Sequence, residues 1–155
     1  SQVQSSIERY SDTFKLIGKL ELALRDQLIT TLSSYALEKG YPQWQNVLPK
    51  SIVTRSVGKE IKLGFARQVL SQKYYTDLWV PATHLIFSGL PRASSLKSCQ
   101  MVENRMHYAT QTRNRVCHFI FDNIHNVEHE ETNLKWLINA LGEQIDPNSR
   151  LISIQ

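Results

Sequence analysis

The apolar positions of this chain recur at three- and four-residue steps over long segments, which is the spacing of one face of an α-helix. The first such segment covers residues 7–35 and predicts one long helix or two stacked ones, interrupted only by Gly18. A lysine, a glycine, a tyrosine and a proline follow at residues 39–42 and predict the end of this helix. The stripe consists of Ile7, Tyr10, Phe14, Ile17, Leu20, Leu24, Leu28 and Ile29.

The rest of the chain alternates loops with further helical patterns. Residues 43–60 predict a loop with a short helix or hairpin, and residues 65–70 predict the start of a helix. An apolar block follows at residues 74–87, and Pro81 inside it predicts that a helix begins or kinks there. No proline or glycine occurs over residues 94–122, which predicts one long helix, and residues 130–144 predict a last helix. Because strand-like alternation is scarce, we expect an all-α fold, an up-and-down bundle of four or five helices.

Length and composition restrict the class of protein. The 155 residues predict a single domain over 1–155, with an ordered core at about 7–142 and a tail at 146–155. Hydrophobic residues at 41% and charged residues at 21% are typical of a soluble globular protein. The sequence has no apolar run long enough to span a membrane and only two cysteines, so we expect a cytoplasmic protein in a reducing compartment. The chain begins with Ser1 rather than methionine, so one open interpretation is that it is part of a longer protein.

Charge is distributed unevenly along the chain, which has a net charge of +4. Residues 50–73 hold six cations against one acid, residues 92–115 hold five cations against one acid, and residues 122–146 hold six acids against one lysine. A basic middle fits a polyanionic partner, and scattered solvated lysines are the alternative. A tyrosine beside Lys73, either Tyr74 or Tyr75, is the best candidate for stacking on a base.

The most informative cluster is the hexapeptide R-N-R-V-C-H at residues 113–118. It combines an arginine that stays charged, an amide and a histidine, and a free histidine has a pKa of about 6.5. Such a set of groups suits the cleavage of a phosphodiester and does not require a metal. The alternative is a surface helix whose arginines are solvated and whose histidine packs in a half-buried position.

Helical geometry separates the members of this motif. Asn114 and His118 share a face at i, i+4, but Arg113 and His118 are offset by roughly 140°. Arg113 therefore joins the site only by its reach, or through a second copy of the motif from a symmetry-related subunit. Arg115, at i, i+3 from His118, is the competing cation.

The motif is followed by an aromatic-apolar run, Phe119–Phe121, and then by a predicted helix that carries Trp136. This arrangement resembles the HEPN superfamily, specifically its Abi-like (abortive-infection-like) branch, whose signature is R-N-x-x-x-H. The resemblance extends upstream to Tyr10, to L-E-L-A-L-R at residues 20–25 and to Trp44 behind a Tyr-Pro turn, so it covers residues 7–142. Abi-like members often follow the histidine with a second histidine and an acid, whereas Phe119 and Ile120 stand here. A role of that second position therefore does not carry over.

The resemblance implies a metal-independent endoribonuclease without a cofactor, with a composite site between two subunits. His118 is then the base or acid, Arg113 the phosphate clamp and Asn114 the group that orients the imidazole or a phosphate oxygen. Glu21 and Arg25 on the first helix, together with Arg115, are implied as supporting residues. The products would carry a 2′,3′-cyclic phosphate, and the implied biology is that of toxins and phage-defence effectors. The implied partners are single-stranded RNA, a second copy of the chain, and an antitoxin or a sensor domain of a parent protein.

Three other interpretations stay open at this point. The pair Glu21 and Arg25 at i, i+4 also fits a simple ion pair on the helix surface. His118, His125 and His129 with nearby carboxylates fit a zinc or manganese site only if the last two share a helix, and no known zinc-binding spacing supports it. The functional rivals are a non-catalytic HEPN-like module for dimerisation, nucleotide or partner-protein binding, and a helical adaptor unrelated to nucleic acid.

Overall fold

The computed structural model describes residues 2–52, 61–118 and 126–145, with side chains from residue 7 onward. Four α-helices are present in these ranges: α1 (Gln2–Glu38), α2 (Leu63–Val69), α3 (Leu96–Cys117) and α4 (Val127–Ala140). A helical turn covers residues 50–52. Shorter 3-10 and π turns cover Trp44–Val47, Gln72–Tyr74, Tyr75–Trp79 and Thr83–Ile86. The described residues contain no strand, which confirms the predicted all-α class.

Helix α1 is a single long helix that continues through Gly18. A row of leucines at four-residue steps lies on its buried face, each no more than 1% exposed: Leu16, Leu20, Leu24, Leu28 and Leu32. The helix ends where predicted, because Gly40 adopts φ +80° and the Tyr41 amide donates to the Ala36 carbonyl at 2.8 Å. Only glycine takes that backbone conformation without strain.

The three long helices run up, down and up. The Arg9 guanidinium lies 3.1 Å from Glu131 near the start of α4, and the Gln27 side chain donates to the Leu141 carbonyl just past its end, so α1 and α4 are parallel. Helix α3 runs antiparallel to α4, since Arg115 pairs with Glu130 while the earlier Arg105 carbonyl accepts from Asn133 at 3.0 Å. A shared hydrophobic core fills the space between them.

The apolar block at 74–87 forms short turns and not an α-helix. Its side chains enter the core: Trp79 is 1% exposed and stacks on Phe87 with ring centroids 5.3 Å apart. The last helix begins at Val127, three residues before the predicted start, because the Asn126 side chain accepts from the His129 amide and caps it there. Among the described residues, no helix combines the length and the apolar character that crossing a bilayer requires.

Some predictions concern parts of the chain outside the described residues. These are the second half of the predicted loop at 53–60, the aromatic run Phe119–Phe121, His125 and the tail at 146–155.

Candidate functional site

The motif lies where predicted, in the last turns of α3. Arg113 is half-buried, Asn114 is exposed, and His118 is the exposed residue that caps the C-terminus of the helix. The His118 amide donates to the Asn114 carbonyl at 3.1 Å, so the helix stays regular through the motif. The imidazole and the amide of the motif are therefore available to a ligand in solution.

Arg113 is directed towards helix α1 by Glu21. Its Nε lies 3.8 Å from Oε1 of Glu21, and the two side chains are 32% and 21% exposed. At this separation the carboxylate orients the guanidinium without occupying its full set of five N–H donors. Arg113 thus faces α1 and keeps N–H donors for a ligand.

Glu21 and Arg25 also fix the chain that enters α2. Oε1 of Glu21 accepts the Leu63 amide at 2.9 Å, and Nε of Arg25 donates to the Ile61 carbonyl at 3.0 Å. An acid at the first amide of a helix satisfies an otherwise unpaired donor and interacts favourably with the helix dipole. Glu21 therefore links the motif helix to the start of α2, and Arg25 holds the chain just before that start.

Arg115 occupies the interior and not the surface. It is 6% exposed and binds Glu130 through both ends of its guanidinium, with Nε at 3.2 Å from Oε2. Its remaining nitrogen donates to the Tyr10 hydroxyl at 3.2 Å, and the guanidinium carbon lies 5.0 Å from the centre of that ring. Arg115 is thus removed from the candidate phosphate contacts, because its charge is already compensated inside the bundle.

The basic middle of the chain divides into exposed and engaged cations. Lys62, Arg92 and Lys97 are exposed, whereas Arg105 lies 4.3 Å from the centre of the Trp136 ring. Burial lowers the pKa of Arg105 from its ordinary value. Arg105 and Arg115 together account for two of the five cations at 92–115, so the basic surface is smaller than the sequence count suggests.

The tyrosines beside Lys73 are not open stacking platforms. Tyr74 is 8% exposed, and the Tyr75 hydroxyl donates to the Ser94 carbonyl at 3.1 Å. Both rings are held against the protein, so the predicted stacking on a base is wrong for Tyr74, and Tyr75 offers only part of its surface.

The Glu130 carboxylate is not available to the metal site considered from the sequence. Glu130 is 2% exposed and bound to Arg115, and His129 lies on the exposed side of α4. No group of three or more histidine, cysteine or acidic residues with the geometry of a metal site occurs among the described residues, and His125 lies outside them.

Within one chain the three motif side chains do not form a connected network. Among the described residues, no hydrogen bond joins the side chains of Arg113, Asn114 and His118, and Arg113 is turned towards α1. The structure brings Arg113 to Glu21, places Arg25 at the Ile61 carbonyl, and leaves His118 at the helix end. A reaction that needs both Arg113 and His118 therefore requires a substrate that bridges them or a second copy of the motif.

Comparison of the chain with protein-family models, with curated proteins and with solved structures gives no match. The resemblance to the HEPN superfamily therefore depends on the residues of this chain.

Proposed function

We propose that the protein is a metal-independent endoribonuclease that cleaves single-stranded RNA at a site formed by two copies of the R-N-x-x-x-H motif. The observation that carries this proposal is the exposure of Asn114 and His118 beside a half-buried Arg113 that Glu21 orients. An imidazole, an amide and an oriented guanidinium supply proton transfer, positioning and charge stabilisation.

In the proposed reaction the ribose 2′-oxygen attacks the adjacent phosphorus while the bond from phosphorus to the 5′-oxygen breaks. One His118 accepts the proton of the 2′-hydroxyl, and the His118 of the second copy gives a proton to the leaving 5′-oxygen. Arg113 holds the non-bridging oxygens, on which negative charge grows in the transition state. The products are a 2′,3′-cyclic phosphate and a free 5′-hydroxyl.

The second copy supplies what one chain lacks. Arg113 and His118 of one α3 are separated around the helix, so two opposed motifs place an Arg113 of one copy near a His118 of the other. Leu22 stands next to Glu21 on α1 and is 57% exposed, which makes it an apolar contact available close to the motif. We propose that this face of α1 belongs to the dimer interface.

Cleavage without a metal is tested with end-labelled single-stranded RNA under single-turnover conditions, with and without EDTA. We expect the same rate in both and products that carry a cyclic phosphate. Activity that is lost on chelation and returns with manganese or magnesium would falsify the metal-independent mechanism.

The dimer is tested by sedimentation at micromolar concentration. Leu22→Asp should weaken dimerisation and cleavage together, because a charge in an apolar interface must be desolvated. Leu37→Asp is the matched control, since Leu37 is 78% exposed on the same helix but fifteen residues, or about 22 Å, further along. A parent protein that sediments as a monomer and still cleaves RNA contradicts the composite site.

A non-catalytic HEPN-like module is the second candidate. It is favoured by the absence of hydrogen bonds among the three motif side chains in the described part of one chain. A stable dimer that binds RNA without cleaving it would support this module. For the ribonuclease, the proposed setting is the cytoplasm, with an antitoxin or a sensor of a parent protein as the regulator of a toxin or phage-defence effector.

A further inference from the structure

A cavity of about 280 Å³ opens beside α3, away from the motif. The end of α2, the turn at 71–74 and the helical turn at 50–52 form its other walls. Two cations, three hydroxyl groups and one carboxylate line it: Arg67, Lys73, Ser51, Ser71, Tyr74 and Glu103. Glu103 precedes Arg113 by ten residues, which separates the cavity from the motif by about 15 Å along the helix and about 80° around it.

The Arg67 side chain lines this cavity and also holds an unsatisfied buried donor. Its Nε is buried, and among the described residues it has no hydrogen-bond partner. A buried N–H of a charged group without an acceptor is strongly unfavourable, so such a group in a folded protein is normally paired with water or an ion. Arg67 therefore brings a positive charge to the wall of the cavity, and an anion bound beside its guanidinium would offset part of this cost.

The carboxylate in the cavity does not neutralise the cations. Oε1 of Glu103 accepts a hydrogen bond from Ser71 at 3.1 Å, and in the described ranges no ion pair joins Glu103 to Arg67 or Lys73. The ammonium of Lys73 instead lies 5.6 Å from the centre of the Tyr74 ring. The cavity thus presents two positive groups and one separate hydrogen-bond acceptor.

The hydroxyl groups add a further donor. The Oγ of Ser51 and the hydroxyl of Tyr74 lie 2.7 Å apart, and one of the two hydrogens stays available because only one of them is used between the pair. Together, Arg67, Lys73 and the Ser51–Tyr74 pair offer donors to at least three acceptor positions on a ligand. A phosphate ester brings three terminal oxygens and close to two negative charges to the two cations, whereas a carboxylate brings only one charge.

We infer that the cavity binds a small phosphate ester that carries hydroxyl groups. The phosphate accepts from Arg67, Lys73 and the Ser51–Tyr74 pair, and a hydroxyl of the ligand donates to Glu103. The volume lies just below the range of pockets for drug-sized ligands, about 300 to 1,000 Å³, and therefore fits a sugar phosphate. This site does not depend on the proposed ribonuclease activity.

The inference is tested by isothermal titration calorimetry of the full chain with ribose 5-phosphate, inorganic phosphate and ribose. We expect binding of ribose 5-phosphate, weaker binding of inorganic phosphate and none of ribose. Arg67→Gln should weaken ribose 5-phosphate about 10- to 100-fold, as expected for the loss of hydrogen bonds from a charged donor. Lys97→Gln is the control, because Lys97 is an exposed cation on α3 that does not line the cavity, and this variant should bind as the parent does.

Two further variants separate binding from folding. Arg67→Met removes the buried unpaired N–H, so without ligand it should melt at or above the parent temperature and still fail to bind. Glu103→Gln should weaken ribose 5-phosphate but not inorganic phosphate. The site is overturned if ribose 5-phosphate at millimolar concentration gives no heat of binding. It is also overturned if the parent and Arg67→Gln bind ribose 5-phosphate with equal affinity. Equal affinity for inorganic phosphate and the ester overturns the hydroxyl contact. Because no readout involves RNA cleavage, these outcomes and the ribonuclease proposal succeed or fail separately.

Discussion

Glu21 lies between Arg113 and the start of α2, with its Oε1 3.8 Å from the Nε of Arg113 and 2.9 Å from the amide of Leu63. One carboxylate oxygen therefore sets the position of the motif arginine and of a neighbouring backbone segment. This relationship gives the supporting role of Glu21 a geometric basis, because an arginine that must meet a phosphate loses rate when its side chain is free to move.

Glu21→Gln tests this positioning. The side-chain oxygen of the glutamine still accepts a hydrogen bond from the Leu63 backbone amide, but the neutral side chain no longer attracts the guanidinium. We therefore expect RNA cleavage to fall several-fold while the circular dichroism spectrum stays unchanged. The cleavage rate at saturating RNA should fall more than the affinity for RNA does. Asp26→Asn, an exposed acid on the same helix, is the control and should cleave as the parent does. A Glu21→Gln protein with parental kinetics contradicts the positioning role.

The pair of Arg115 and Glu130 is the most buried ion pair among the described residues, with side chains 5% and 3% exposed. Arg115→Ala leaves the Glu130 carboxylate and the Tyr10 hydroxyl without their main donor. We expect the free energy of unfolding to fall by about 3 to 5 kcal/mol, measured by urea denaturation. Arg9→Ala breaks a pair in which Arg9 is 50% exposed and should cost less than about 1 kcal/mol. A similar loss in both variants would show that burial does not determine the effect.

The two cysteines should differ sharply in reactivity. Cys99 is 0% exposed, and burial together with the charge of Glu103 raises its pKa to about 11, whereas Cys117 is exposed. A thiol reacts as the thiolate, which Cys99 forms only as the pH rises towards 11 in the folded protein. At pH 8 iodoacetamide should modify one thiol quickly, and Cys117→Ser should remove that reaction. Rapid modification of both thiols in the folded protein is the contrary result.

The sequence predicted the long helices well, because their evidence is local. The leucine row of α1, the glycine at position 40 and the unbroken run that becomes α3 all depend on residues close together in the chain. The block at 74–87 was less predictable, since its apolar residues reach the core through short turns. Such turns depend on tertiary packing and lack the periodicity of an α-helix.

The surroundings of the motif side chains could be predicted only in part, for the same physical reason. The pattern R-N-x-x-x-H placed three side chains on one helix, but it could not show that Glu21 reaches Arg113 across 92 positions of the chain. Nor could the pattern distinguish the surroundings of Arg113 from those of Arg115, because both residues are cations near the end of α3. The partner that buries Arg115 is Glu130, on the next helix, and only the packing of α3 against α4 reveals it.

The ranking of the motif residues tests the proposed roles most directly. His118→Ala should lower cleavage by about 10²- to 10⁴-fold with nearly parental RNA affinity, because acid-base effects occur in the transition state. Arg113→Ala should reduce rate and binding together, and Arg113→Lys should restore only part of both, since a point charge cannot reproduce a bidentate fork. Asn114→Ala should be the mildest of the three. The measurement is single-turnover cleavage of labelled RNA by each folded variant.

Arg92 provides the control for these variants, because it is exposed and lies outside the motif. Arg92→Ala should change the salt dependence of RNA binding more than turnover, since a solvated cation contributes through counterion release. Arg115→Ala cannot serve as this control, because its effect on folding would lower activity by another route. If His118→Ala and Arg113→Ala cut as fast as the parent while Glu21→Gln is inactive, the roles are wrongly assigned even though the protein is a ribonuclease. If every variant matches a measurable parental rate, cleavage takes place at another site.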